Sequence, residues 1–133
     1  MKPTVAELAN AMISVFEGPE RLKAFQDSGG VWTIGRGHTR GVIPGMVITH
    51  EQSVAFFAAD QVELLVMVAG KPPWAAAALV SFGYNCGAGD LRAVLAGKDT
   101  IANPRHTTDR RGFVQAGLVS RRLLERLMVE YES

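Results

Sequence analysis

The stretch that decides the fold is FEGPERLKAFQDSGGVWTIGRGH, residues 16–38. A helix-like pattern ends within it at Gly18-Pro19, and Gly-rich, strand-like runs follow. It carries two carboxylates, Glu17 and Asp27, and a threonine, Thr33. These side chains are either a catalytic set or merely a helix end, a turn residue and a strand residue. On spacing alone the second interpretation is favoured, because Asp suits turns for its own reasons.

Helical patterns surround this stretch. A capping box of Thr4 and Glu7 opens a first helix, and a box of Thr49 and Gln52 opens a long one that GKPP at 70–73 stops. The run WAAAALVSFGYNC at 74–86 is apolar almost all round, which predicts a central helix. We expect a short helix capped by Asp90, a polar loop over 98–109 and a final helix. That final helix carries an apolar stripe of Leu123, Leu124, Leu127, Met128 and Tyr131.

These patterns predict an α+β fold, mainly helical, with one small β-hairpin lobe after the first helix. The chain of 133 residues, 47% apolar and 20% charged, has the size and composition of a single globular domain, 1–133. We place the β-lobe at about 20–48 and the helical lobe at about 1–18 and 49–133.

The loop length of the hairpin decides whether Asp27 and Thr33 meet. A three-residue loop, 28–30, pairs Asp27 with Val31 and Phe25 with Thr33, and the alternation of strand side chains then puts Asp27 and Thr33 on one face. A two-residue loop would put them on opposite faces.

Glu17 lies where the first helix ends, and there the helix dipole and burial beside an apolar stripe both favour the protonated carboxyl. A neutral acid is what general-acid catalysis requires, and two carboxylates in unlike environments suggest a glycoside hydrolase.

Three motifs in order resemble the phage-type lysozymes, or muramidases, of glycoside hydrolase family 24. The first motif is residues 16–39, which contain TIGRGH. The second is ALVSFGYNCGAG at 78–89, and the third is GLVSRRLLER at 117–126, so that together they span most of the chain. The resemblance implies a lysozyme-like fold with a substrate cleft between the lobes. It makes Glu17 the general acid, Asp27 the residue that positions or deprotonates the attacking water, and Thr33 an aid to that water. The family's best-known members invert the anomeric configuration, and the outcome for this chain stays open.

The resemblance also implies supporting residues. Asn85 is either a substrate contact or a satisfied buried amide. Arg121, or else Arg122, matches an arginine that pairs with the catalytic glutamate, although arginines at a helix start oppose its dipole. Such an arginine would lower the pKa of Glu17 and oppose the effect of burial, so the direction of the net shift stays open. His38 is expected to hold the β-lobe together, with a minor substrate contact as the alternative.

Two departures separate the chain from this family pattern. Nine residues, rather than the usual eight, lie between Glu17 and Asp27, and the extra residue falls at Pro19-Glu20. The segment 98–116 is shorter than its counterpart in the family. The first departure affects the geometry of the catalytic set, and the second affects substrate contacts or lobe packing.

The net charge and the single cysteine limit which binding partners and metal sites can be expected. The net charge of +1 gives no reason to expect nucleic acid, and six arginines within 105–126 are either a solvated surface or a site for an anionic wall polymer. Cys86, the sole cysteine, is read as packing, and His50 and His106 lack metal-ligand spacing with it, so we expect neither metal nor cofactor. No signal peptide or apolar run of membrane-spanning length is evident.

The resulting hypothesis is a muramidase that cleaves the β-1,4 bond between N-acetylmuramic acid and N-acetylglucosamine in peptidoglycan. As a phage or prophage endolysin it would be a monomer made in the host cytoplasm, would not insert stably into membranes, and would need a holin to reach the wall in the periplasm. The alternatives are a lytic transglycosylase and a non-catalytic module that binds wall glycan.

Overall fold

The computed structural model describes residues 1–131. Its elements are α1 (Val5–Glu17), β1 (Arg21–Gln26), β2 (Trp32–Gly35), α2 (His50–Met67), α3 (Pro73–Cys86), α4 (Ala88–Leu95), a short 3-10 helix (Pro104–Thr107) and α5 (Ala116–Tyr131). This order confirms the predicted α+β class, with one hairpin after the first helix.

The chain divides into two compact units. The helical unit consists of Met1–Phe16 and the chain from Glu63 onward, and the hairpin unit consists of Glu17–Val62. Within residues 1–131, none of the helices combines the length and the apolar character that crossing a bilayer requires.

Both predicted capping boxes are confirmed. The amide of Glu7 donates to Thr4 Oγ1 at 3.1 Å, and the amide of Thr4 donates back to Glu7 Oε1 at 3.4 Å. Thr49 and Gln52 make the same pair of bonds at 3.1 and 2.9 Å. Each box satisfies two amides that the first turn of a helix leaves without a backbone acceptor.

The hairpin has the register of the three-residue loop. Phe25 pairs with Thr33, and the amide of Asp27 donates to the carbonyl of Val31 at 2.9 Å. The ladder is irregular between Arg21 and Phe25, where Lys23 bridges instead to Val47. A bulge of this kind bends the strand, and β1 thereby gains a second partner at residues 46–48.

In the helical unit, α3 is the central helix, as predicted, and it packs against α4 and α5. Its residues from Ala75 to Gly83 are all buried. A Cβ added at Gly83 would lie 2.8 Å from Leu64 Cδ2 and 2.9 Å from Leu91 Cδ2, so glycine is what allows this close approach.

One sequence prediction in this unit is wrong, and one is incomplete. α4 begins at Ala88 with Gly87 as its N-cap, so Asp90 lies in the first turn and does not cap it. The predicted loop 98–109 contains the 3-10 helix Pro104–Thr107, because Asn103 Oδ1 accepts from the amide of Arg105 and starts that turn.

The final helix turns an unexpected face inward. Its buried residues are Arg121, Arg122 and Glu125, whereas Leu123 and Leu127 of the apolar stripe are 51% and 53% exposed. The helix also begins at Ala116, which places both arginines in its second turn. The expected conflict between these arginines and the positive end of the helix dipole is therefore reduced.

Candidate active site

The carboxyl group of Glu17 lies against the turn that follows β2. Glu17 is the last residue of α1, and Gly18 leaves the helix with φ of +75°. A Cβ added at Gly37 would stand 3.1 Å from both the carboxyl carbon and Oε2 of Glu17. Gly37 also has φ of +90°, so its conformation and its neighbour both favour glycine. The TIGRGH turn therefore helps to fix the position of the Glu17 carboxyl.

Asp27 and Thr33 each form a hydrogen bond with the backbone of Val31. Asp27 Oδ1 accepts from the amides of Gly29 and Val31, each at 2.9 Å, which fixes the orientation of an exposed carboxylate. The hydroxyl of Thr33, a buried residue, donates to the carbonyl of Val31 at 3.0 Å. Because that bond uses the only hydroxyl proton, Thr33 Oγ1 can offer a further ligand only its lone pairs.

The extra residue at Pro19-Glu20 lies in the connection between α1 and β1, and Glu20 is anchored there. Its carboxylate forms an ion pair with His50 Nδ1 at 2.9 Å, at the first residue of α2. The hydrogen bond from His50 lowers the pKa of Glu20, and the same bond raises the pKa of His50. This ion pair holds the connection between α1 and β1 to the start of α2 within the hairpin unit.

His38 ties the hairpin to α2. Its ring stacks on Phe56 with centroids 4.1 Å apart, and Nδ1 lies 2.7 Å from Asp60 Oδ2. Its backbone exchanges two hydrogen bonds with Ile34. These contacts are those of a residue that holds the turn containing Gly37 in place.

The remaining predicted residues belong to the helical unit. Asn85 is exposed, so the buried-amide interpretation is wrong; Oδ1 accepts from Arg122 Nη1 at 2.8 Å. Nη1 of Arg122 also lies 2.7 Å from Cys86 Sγ, and Arg122 Nε lies 2.6 Å from Glu125 Oε1. Asn85 is therefore held by a buried guanidinium that is itself held by a buried carboxylate.

Arg121 occupies the neighbouring position. It donates to Ser81 Oγ and to the Ser81 carbonyl at 3.2 and 3.1 Å, and its Nε lies 3.5 Å from Glu125 Oε2. Its guanidinium also lies over the ring of Phe16, 5.3 Å from the centroid. Phe16 directly precedes Glu17, so Arg121 contacts the last turn of α1.

Sequence reasoning missed one cluster. Ligand atoms of Cys86, Asp90 and His106 lie within 4.8 Å of one another, although His106 is twenty residues beyond Cys86 in the chain. The i, i+4 spacing of Cys86 and Asp90 was visible, but only the 3-10 helix brings His106 to them. Burial raises the pKa of the Cys86 thiol to about 11.

Known proteins show the same architecture. The family model for phage lysozymes matches residues 14–125. The endolysin of Acyrthosiphon pisum secondary endosymbiont phage 1 is 39% identical over 64 residues, which cover 48% of this chain and 43% of that endolysin. The match thus spans less than half the length of that curated relative.

Solved structures extend the likeness to nearly the whole chain. The active form of the P1 phage endolysin Lyz superposes with a TM-score of 0.72 at 22% identity, covering 94% of this chain and 84% of that one. The endolysin from Escherichia coli O157:H7 phage FAHEc1 gives 0.70 at 26% identity, covering 97% and 94%. The fold predicted from the sequence, lysozyme-like and mainly helical, is confirmed.

Proposed function

The chain belongs to the phage lysozyme family, and from this premise we propose that it is a peptidoglycan-degrading muramidase that acts as a phage endolysin. Its reaction is hydrolysis of the β-1,4 bond between N-acetylmuramic acid and N-acetylglucosamine. The observation that carries the proposal is the hairpin unit itself. One unit carries a carboxyl packed on Gly37 and a second carboxyl joined to a threonine through Val31.

Glu17 is the proposed general acid on the glycosidic oxygen. Its carboxyl is held at the end of a helix against a turn that His38 fixes to α2. Donation of its proton to the leaving oxygen assists bond cleavage as positive charge develops on the sugar ring.

Asp27 and Thr33 are the proposed pair for the water. Asp27 Oδ1 is occupied by two amides, which leaves Oδ2 of this exposed carboxylate to accept one hydrogen of a water molecule. Thr33, whose proton is used by Val31, can accept the other hydrogen. A water held by two acceptors keeps an oxygen lone pair for attack on the anomeric carbon. Because this assigns water as the direct nucleophile, we propose an inverting outcome.

The helical unit supplies the proposed supporting residues. Asn85 is exposed and oriented by Arg122, which suits a hydrogen bond to the glycan. Arg121 is the better candidate for the arginine that supports Glu17, because its guanidinium lies over the ring of Phe16, the residue before Glu17. His38 is proposed to position the turn and not to contact substrate.

The wider setting is also part of the proposal. The protein would be a monomer made in the host cytoplasm and would reach the wall in the periplasm after a holin permeabilises the membrane. The exposed arginines of 105–126 would give a modest, salt-screened attraction to anionic wall polymers; they are Arg105, Arg110, Arg111 and Arg126, because Arg121 and Arg122 are buried.

A turbidity assay on purified peptidoglycan tests the proposal. Glu17→Gln removes the proton donor with almost no change of shape, so clearing should fall by about two orders of magnitude or more while the circular dichroism spectrum stays unchanged. Glu63→Gln is the matched control, because Glu63 is exposed and its ion pair with Arg92, at 3.5 Å, is exposed as well. Equal clearing by wild type and Glu17→Gln would remove Glu17 from the mechanism.

Two further outcomes distinguish the alternatives. Reducing ends among the products support hydrolysis, whereas 1,6-anhydro ends would show a lytic transglycosylase, which has no need of a water held by Asp27 and Thr33. Binding to peptidoglycan without any clearing would show a non-catalytic wall-binding module.

A further inference from the structure

We propose that Cys86, Asp90 and His106, none of which is assigned a role in glycan cleavage, form a zinc site in the helical unit. Their ligand atoms lie within 4.8 Å of one another at the junction of three segments. These segments are the end of α3, the first turn of α4 and the 3-10 helix Pro104–Thr107. A thiolate, a carboxylate and an imidazole are the side chains that bind Zn²⁺ in proteins.

The imidazole is already oriented for a metal. His106 Nε2 lies 2.8 Å from Asp99 Oδ2, and its ring packs edge-on against Phe82 at 4.9 Å. If Nε2 carries the hydrogen that Asp99 accepts, Nδ1 presents a lone pair toward Asp90.

The carboxylate is oriented in the same way. Arg105 Nη2 donates to Asp90 Oδ1 at 2.8 Å and to Asp99 Oδ2 at 3.0 Å. Asp90 Oδ2 is thereby left facing His106 Nδ1, at 3.8 Å. Around a tetrahedral zinc, ligand atoms stand roughly 3.3–3.6 Å apart, so this pair needs only a small inward movement.

The thiol of Cys86 must also change its protonation state. Zinc binds the thiolate, so the thiol of Cys86 must release its proton when the ion binds. Arg122 Nη1, 2.7 Å from Sγ, favours the thiolate electrostatically and remains able to bond Asn85. The side chain of Asp90 is 28% exposed while that of His106 is 2% exposed, so an ion can enter from the Asp90 side, with water as a fourth ligand.

The position of the site indicates its role. The segment 98–116 buries few side chains, chiefly Ile101 and His106. A zinc ion bound by His106 would cross-link this short segment to α3 and α4, and a ligand that binds only the folded state raises its stability.

Metal binding to the full, reduced chain tests the inference. Co²⁺ should produce a thiolate-to-metal charge-transfer absorption with the visible bands of tetrahedral cobalt, and one equivalent of Zn²⁺ should abolish both. Zn²⁺ should raise the unfolding temperature of the wild type, whereas Mg²⁺, which prefers oxygen ligands, should not.

Variants assign the ligands. Cys86→Ser should remove the charge-transfer band, and Asp90→Asn, which keeps the shape of the side chain, should weaken Zn²⁺ binding by about tenfold or more. Asp99→Asn replaces the carboxylate that holds the imidazole and Arg105 without changing a proposed ligand, and it should weaken Zn²⁺ binding roughly 10- to 100-fold. His50→Gln is the control, because His50 lies in the hairpin unit, and it should bind zinc as the wild type does.

The inference is overturned if folded wild-type protein shows no charge-transfer band, or if the band persists in Cys86→Ser. Should Cys86→Ser not fold, zinc affinity unchanged in Asp90→Asn would overturn it equally. None of these measurements depends on glycan cleavage, so a failure of the zinc inference can be distinguished from a failure of the proposed muramidase activity.

Discussion

The carboxyl group of Glu17 lies so close to the Cα of Gly37 that a single added methyl group would stand 3.1 Å from its carbon and from Oε2. The turn after β2 therefore forms one wall around the proposed acid. Any side chain at position 37 must move either the turn or the carboxyl.

Replacing Gly37 by alanine should reduce catalysis more than it reduces stability. A displacement of about 1 Å in a catalytic group can cost roughly 100-fold in rate. Gly45→Ala is the matched control, because Gly45 has φ of +83° but nothing within 4 Å of its added Cβ. Both variants should lose about 1–2 kcal/mol of folding stability through the positive φ, and only Gly37→Ala should clear peptidoglycan about 100-fold more slowly. Equal activities of the two variants would contradict the close-approach argument.

The hydroxyl of Thr33 should matter through its oxygen. Thr33→Val keeps the volume of this buried side chain but removes the acceptor proposed for water, so the turnover rate should fall about tenfold or more with little change in KM. Thr33→Ser keeps both the acceptor and the donor to the Val31 carbonyl and should retain most of the activity. Steady-state kinetics on soluble glycan fragments measures this difference. A fully active Thr33→Val variant would exclude Thr33 from the positioning of water.

The Glu20–His50 pair should make the stability of the hairpin unit pH-dependent. The raised pKa of His50 contributes stability that is present below about 6.5 and is lost as pH rises through the higher folded value. The lowered pKa of Glu20 contributes stability that is present above about 4.5 and is lost as pH falls through the lower folded value. The pair is therefore strongest between these values.

Thermal unfolding of wild type and His50→Gln across pH 4–9 measures this contribution. The difference in unfolding temperature should be largest at about pH 5–6, should shrink toward pH 9, and should decrease in high salt because both groups are near solvent. A difference that grows toward alkaline pH would contradict the assignment.

Local signals in the sequence predicted most of the fold. Two capping boxes, the hairpin around DSGG and the apolar run of α3 each depend on residues a few positions apart, and the structure has all of them. The length of the hairpin loop stayed open in the sequence. The cluster of Cys86, Asp90 and His106 depends on a contact between segments twenty residues apart, and no short-range pattern indicates it. The roles of Glu17, Asp27 and Thr33 came from the family resemblance, because their spacing alone favoured an ordinary turn.

The final helix shows where periodicity misleads. Its stripe of leucines indicated a helix correctly, but the face turned inward is polar, because Ser81 on the buried α3 offers a hydroxyl and a carbonyl to Arg121. Glu125 then neutralises Arg121 and Arg122. Hydrophobic pattern alone does not predict such a buried ionic cluster.

Removing the charge of Glu125 should therefore cause a large loss of folding stability. Its Oε2 accepts from Ser81 Oγ at 2.7 Å and from Arg122 Nη2 at 2.9 Å, and burial raises its pKa against the opposing effect of Arg122. Glu125→Gln leaves two arginines buried without their counter-ion and should cost about 3–5 kcal/mol of folding stability. Denaturant unfolding beside Glu63→Gln, which should change stability by less than about 0.5 kcal/mol, measures this. A loss below about 1 kcal/mol would show that the arginines find other compensation.

The orientation of α5 can be tested by measuring how much folding stability is lost when one of its leucines is replaced. Leu127 is 53% exposed, so Leu127→Gln should change the free energy of unfolding by less than about 0.5 kcal/mol. Leu91 is fully buried beneath Gly83, and Leu91→Ala should cost about 2–5 kcal/mol because it removes packing and leaves a cavity. Chemical denaturation of both variants under the same conditions provides the comparison. If Leu127→Gln proved as costly as Leu91→Ala, the leucine face of α5 would be the buried one, and the ionic cluster around Glu125 would have to face solvent instead.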